Sequence, residues 1–211
     1  MQEETRANRY LVPRGDEPYE SLLEIKRSEF IGYIKRVSTV EDARAYIESV
    51  RKTYHDARHV CSAFVIGADR DVQRSSDDGE PAGTAGVPMM QALLARQTRE
   101  DGTTDLSDVV AVVVRYFGGI KLGAGGLVRA YTDAVVQTLD SAQFDSRERL
   151  RVGEVPSSHA EAGRLENEMR AAGLNVLGTE YGAEGAVISV GVFDRAEELS
   201  RAEELVVSLS S

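Results

Sequence analysis

The stretch VVAVVVRYFGGIKLGAGGLVRAYTDAVV, residues 109–136, decides the fold. It opens with a nearly continuous apolar run, the pattern of a central strand buried on both faces; the run is read as a strand over 107–117. It ends with apolar residues at helical spacing, which predicts a helix over 126–142. Between them stand five glycines in nine positions: Gly118, Gly119, Gly123, Gly125 and Gly126. Glycine loses the most chain entropy on folding, so such a cluster needs a reason. A strand, a Gly-rich turn and a helix N-terminus together form a common anion site. N–H groups point outward, the helix dipole favours negative charge, and absent Cβ atoms let a phosphate approach. From Val109 to Thr132 there is no Asp or Glu, while Arg115, Lys121 and Arg129 supply positive charge. These three cations and the backbone of Gly118 to Gly126 are the candidate phosphate or nucleic-acid contacts. The specific phosphate signatures fail, however. Ala124 and Gly125 stand where a P-loop needs Lys and Ser or Thr, and Val128 replaces the third glycine of a dinucleotide fingerprint. The plainer alternative is a tight turn with close strand–helix packing and solvated cations.

Moving toward the N-terminus, residues 87–100 are read as a helix with Pro88 in its first turn, where a missing N–H costs little. Residues 76–88, with three Gly and two Pro, are a loop, and 59–71 a strand running into a turn. A Ser38–Glu41 capping box opens a predicted helix over 38–54, and 19–37 reads as two strands or a bent hairpin. Residues 1–18 read as an irregular lead-in. Toward the C-terminus, 143–148 reads as a linker. Beyond it the order is strand (149–155), helix (157–172), strand (174–181), strand (185–193) and helix (194–207). That is most of a ferredoxin-like split βαβ unit. The expected class is α+β with two domains, residues 1–146 and 147–211.

The loop before the predicted 87–100 helix carries Asp77, Asp78 and Glu80. Three acids could hold a hard cation, although the spacing is not that of an EF-hand, and Asp and Gly also build turns unaided. No metal site and no cofactor are expected, Mg²⁺ being the cation these oxygens would suit. Asp77, Asp78, Glu80, Thr84 and His59 are read instead as one wall of a cleft facing the glycine loop. His55, His59 and Cys61 are zinc-ligand types, but no second ligand pair follows them. A Cys–His nucleophile is the alternative there, against an inert thiol in an apolar strand.

The 211 residues carry a net charge of −10, which disfavours polyanions unless cations are gathered in one place. Residues 147–211 hold 7 Arg and no Lys against 12 acids, so that domain is read as a protein-contact module. The single Cys61 cannot form an internal disulfide, no apolar run reaches membrane-spanning length, and the polar N-terminus is unlike a signal peptide. A cytoplasmic protein without a membrane partner is expected.

SDDGEPAGTAGVPM (76–89) and VVVRYFGGIKLGAGGLVRAYTDAV (112–135), with RSEFIGYI and ARHVCSAF upstream, closely resemble the YigZ/IMPACT family from about Ser28 to Val135. The tail resembles the small C-terminal domain of the bacterial members. The resemblance implies an N-terminal domain similar to a ribosomal-protein domain also seen in elongation factor G, with a left-handed βαβ unit, and a ferredoxin-like C-terminal domain. It implies a translation-associated regulatory role, or binding to RNA or the ribosome. This chain departs from the family's common HPDATHNCYAY: it reads YHDARHVCSAF, with His55 one place along and Phe64 for Tyr. Three functions stay open: a binding protein for RNA or ribosome, an enzyme acting on a small phosphorylated ligand, and a protein-interaction module without ligand. Catalytic residues are not assigned.

Overall fold

The computed structural model describes residues 9–148, 150–193, 202 and 204–208. The chain divides into two compact units, with Arg9–Arg147 in one and the residues from Glu148 onward in the other. The architecture is α+β. No helix among the described residues is long and apolar enough to cross a membrane.

The larger unit is built on a five-stranded antiparallel sheet. Its strands are β2 (Tyr19–Ile25), β3 (Ser28–Arg36), β4 (His59–Ile66), β5 (Val72–Ser76) and β6 (Val109–Tyr116), in the order β2-β3-β6-β4-β5. The helices are α1 (Val40–Thr53), α2 (Gly86–Ala95) and α3 (Ala124–Ser141). Strand β6 lies at the centre, and its seven residues from Val109 to Arg115 are all buried. The alternation along it explains the unbroken apolar run. Val109, Ala111 and Val113 pack with Met89, Leu93 and Tyr131 of α2 and α3. Val110, Val112 and Val114 face the other way, into the cluster holding Ala43 and Val50 of α1. Both faces of the sheet are therefore covered by helices.

Residues 19–37 form a true hairpin, β2 and β3, joined by Lys26 and Arg27 at φ 49° and 64°. Two left-handed residues match the strand twist, but Lys-Arg lacks the Asn-Gly signal that would have marked the turn. Helix α1 is capped by Thr39 rather than Ser38: the Thr39 hydroxyl accepts the Asp42 N–H at 3.0 Å. Three other expectations change. Residues 9–13, expected to be irregular, form β1 (Arg9–Pro13). The expected linker forms β7 (Phe144–Glu148), and these two strands pair. Asp108 fixes the arrangement, its carboxylate accepting the Tyr10 hydroxyl, an Arg147 N–H and the Gly67 N–H, each at 3.0 Å. Strand β5, VQRSS, went unread because a polar edge strand carries no apolar alternation.

The smaller unit runs β8 (Leu150–Ser157), α4 (Ala162–Ala171), β9 (Asn175–Tyr181) and β10 (Ala186–Phe193), with antiparallel order β8-β10-β9. Placing β10 between β8 and β9 is the split βαβ arrangement. Val155, Ile188 and Val190 of the sheet pack on Leu165 and Met169 of α4. The predicted 194–207 helix falls largely outside the described residues; residues 202 and 204–208 are helical.

Candidate functional site

The C-terminal end of β6 and the N-terminal end of β4 are adjacent, with Arg115 opposite His59 in the register. Two loops converge there. One is the acidic loop, residues 77–85, between β5 and α2. The other is the glycine loop, residues 117–123, between β6 and α3. The two loops thus start from one end of the sheet, where Arg115 at the end of β6 pairs with Glu80 of the acidic loop.

Each acid of the first loop is engaged by the fold. Asp77 accepts N–H groups of Gly83, Ala85 and Gly86 at 2.8, 3.0 and 2.8 Å. It caps α2 from outside, because Ala85 at the N-cap has no side chain to do so. Burial alone would raise its pKa, but those three hydrogen bonds outweigh burial and hold its carboxyl below the usual carboxylate range. Asp78, at φ 43°, accepts the Val60 N–H at 2.7 Å and Arg51 at 2.8 Å. Its carbonyl accepts the His59 Nδ1–H at 2.9 Å. Glu80 is buried and accepts Arg115 Nη1 at 2.5 Å and the Tyr131 hydroxyl at 2.9 Å. Thr84 is buried and turns back on the Pro81 carbonyl at 2.7 Å. All three carboxylates already have protein donors, and among the described residues no cluster of His, Cys, Asp and Glu is placed to hold a metal ion.

Cys61 is buried, donating its S–H to the Asp77 carbonyl at 3.0 Å, and burial pushes its thiol up to about 12. It is a thiol at neutral pH and a structural group.

Asp77→Ala is expected to destabilise the protein by about 1–2 kcal/mol, the carboxylate being partly exposed and so partly screened. Because its folded pKa lies below the unfolded one, this contribution is complete above the unfolded value. It is lost as pH falls through the lower folded value, in the acid range below about pH 4. Urea melts of wild type and variant at pH 7 and pH 3 check this: the difference between them should shrink in acid.

The cations on either side of the glycine loop differ in setting. Arg115 is buried, paired to Glu80, with its guanidinium 5.5 Å from the Phe30 ring and 5.7 Å from the Phe117 ring. Lys121 and Arg129 are exposed, as are Lys26 and Arg27 in the β2–β3 turn, and no ion pair engages these four among the described residues. That turn is close because Gly118 rests on it. A Cβ at Gly118 would lie 2.0 Å from the Arg27 carbonyl carbon, and the Gly118 N–H donates to Ser28 Oγ at 3.1 Å. Gly119, Gly123 and Gly125 have nothing within 4 Å of where a Cβ would stand. Gly126 meets only the Leu122 side chain, at 3.0 Å. Gly123 is the N-cap of α3, at φ 73°, and α3 has no acid in its first turn. Sequence reading missed Tyr131, Arg51, the β2–β3 turn cations and the half-exposed Phe117. Only Phe117, an aromatic beside paired glycines, carried a local signal.

This geometry defines a class: an α+β domain with a sheet covered on both faces and an open, cationic, Gly-rich strand–helix junction. Residues 26–139 match the Impact N-terminal domain family, and the chain belongs to the IMPACT family. It is 44% identical over 146 residues to the IMPACT family member YvyE of Bacillus subtilis, covering 69% of this chain and 64% of that protein. It is 47% identical over 132 residues to the IMPACT family member YigZ of Escherichia coli, covering 62% of this chain and 60% of that one. The chain thus aligns with a little under two thirds of these relatives' lengths. A solved structure described as that of a hypothetical protein matches at TM-score 0.67 and 33% identity, over 97% of this chain and 94% of that one.

Proposed function

We propose that this protein is a translation-associated binding protein whose glycine loop contacts the phosphates of RNA, free or within the ribosome. One observation carries the reading. At the end of the sheet where the loops converge, Lys26, Arg27, Lys121 and Arg129 are exposed and, among the described residues, in no ion pair, while Asp77, Asp78 and Glu80 of the acidic loop are turned inward onto protein donors; the exposed acids nearby are Glu24 and Glu29 beside the β2–β3 turn and Asp133 on α3. In a chain of net charge −10 this gathers positive charge in one place. The open N–H groups of the loop and of the α3 N-terminus add directional donors for a phosphate. The family's resemblance to translation factors supports the same choice over an enzyme, since the acids and Cys61 are committed to the fold. The smaller unit would supply a protein contact, with Val152 and Leu177 exposed on its sheet.

Fluorescence anisotropy of a labelled single-stranded RNA tests the proposal. Binding is expected to weaken steeply between 50 and 200 mM salt, as counterion release requires. Lys121→Glu/Arg129→Glu is expected to lower affinity at least tenfold with an unchanged melting temperature, both side chains being exposed. Salt-independent binding, or equal affinity for the double variant, would refute it.

Gly125→Ala separates the two uses of the glycines. The position is open, and its φ is one that any residue adopts. Alanine should therefore raise stability by up to about 1 kcal/mol while weakening RNA binding by obstructing the helix N-terminus. Thermal melts and the same anisotropy titration read the two effects.

A further inference from the structure

We infer that Phe117 is a stacking platform for one unpaired base of a single-stranded RNA segment; this rests on the RNA-binding reading above. Phe117 is 51% exposed, although it directly follows a strand buried from Val109 to Arg115. Large apolar side chains in polar loops expose surface at a cost, and this one is held out rather than left loose. The Arg115 guanidinium lies 5.7 Å from the Phe117 ring and 5.5 Å from the Phe30 ring, so Arg115 bridges the core ring and the exposed one. Arg115 cannot swing away, because Glu80 holds it at 2.5 Å and Tyr131 holds Glu80. The backbone is pinned as well: Gly118 sits on the Arg27 backbone and donates to Ser28. The result is an aromatic ring with restricted motion, backed by a cation and reached by solvent.

Two further observations point to a nucleic-acid occupant. Arg115 is more than nine-tenths buried, yet its Nε has no hydrogen-bond partner. The guanidinium is thus positioned for its rings rather than for a full set of hydrogen bonds. Arg27 lies under Gly118, the residue after Phe117, and the exposed Ile120 and Lys121 follow in the same loop, while the exposed Glu29 stands opposite Tyr116 in the register. An aromatic face beside unpaired cations suits a base and its phosphate together, and such stacking tolerates any base because each has a π-face. A duplex offers no free base face, so the platform should confer preference for single strands.

The test uses the full chain, a labelled 12-nucleotide single strand carrying one 2-aminopurine, and a hairpin duplex of matching length. Phe117→Ala is expected to weaken single-strand binding by about tenfold and to leave duplex binding unchanged. Phe117→Tyr is expected to restore the single-strand value. The 2-aminopurine fluorescence should be quenched by wild type and Phe117→Tyr but not by Phe117→Ala at saturation. Equal loss on both RNAs, or no loss on either, overturns the stacking role while the phosphate-binding reading stands. Failure of the wild type to bind either RNA overturns both. Rejection of RNA by the wild type, with capture of an acidic peptide that Phe117→Ala loses, assigns the ring to a protein partner and also overturns it.

Discussion

Arg115→Met is expected to destabilise the protein by about 3–5 kcal/mol, the cost of breaking a buried ion pair from one side. Arg115 and Glu80 are both more than nine-tenths buried, so neither charge is hydrated. With Arg115 removed, Glu80 keeps, among the described residues, the Tyr131 hydroxyl as its one side-chain donor. An unpaired carboxylate in that setting is far costlier than the pair. The guanidinium also packs beside two rings, so its loss removes contacts along with charge. Equilibrium urea unfolding measures the change. The double variant Glu80→Leu/Arg115→Met should recover part of it, because an apolar pair avoids desolvating any charge while the buried Tyr131 hydroxyl loses its acceptor. If Arg115→Met cost less than about 1 kcal/mol, the pair would be solvated and its tie between the two loops weak. A stable double variant has a second use. It keeps the fold while removing the cation behind Phe117, so its RNA affinity reports how much the ring depends on that support.

How far the sequence was legible follows from which interactions are local. The central strand could be read because helices on both faces of the sheet demand apolar residues at every position from Val109 to Val114. The helices were visible from their 3.6-residue spacing, although α1 is capped one residue later than read, α2 ends at Ala95 rather than at residue 100, and α4 begins at Ala162 rather than at residue 157. What escaped is held by distant partners. Strands β1 and β7 come from opposite ends of their unit's sequence, and Asp108 secures them through Tyr10, 98 residues away, and Arg147, 39 residues away. No window of sequence contains that contact. The site shows the same division. The cationic island and its glycines were legible from composition alone. The role of Arg115 was not, because Glu80 stands 35 residues earlier and turns an expected ligand contact into an internal pair. Asp77 and Asp78 resembled a cation site for the same reason. Only the folded chain shows that three backbone N–H groups and Arg51 already occupy them.

Gly118→Ala is expected to cost about 3 kcal/mol, at the upper end of overpacking penalties. The reason is the identity of the obstructing atoms. The new Cβ would stand 2.0 Å from both the carbonyl carbon and oxygen of Arg27 and 2.5 Å from the Ser28 nitrogen. All three are backbone, so no side-chain rotamer change relieves the clash. Either the β2–β3 turn lifts or β6 retreats, and either move breaks the Gly118 N–H bond to Ser28. For a protein of this size each kcal/mol lowers the melting temperature by about 2–4 °C, so a drop of roughly 6–12 °C is expected by calorimetry. An unchanged melting temperature would mean that the turn is free to move and that Gly118 is not a packing residue. The expected effect on RNA binding also differs in kind from that of Gly125→Ala. Displacing the turn shifts Arg27 and unseats Phe117 without touching Lys121 or Arg129. Single-strand affinity should therefore fall more than the salt dependence does. The glycines of the loop then divide by what surrounds them. Gly118 is small because a backbone passes over it, while Gly119, Gly123 and Gly125 leave backbone open where nothing in the protein comes near.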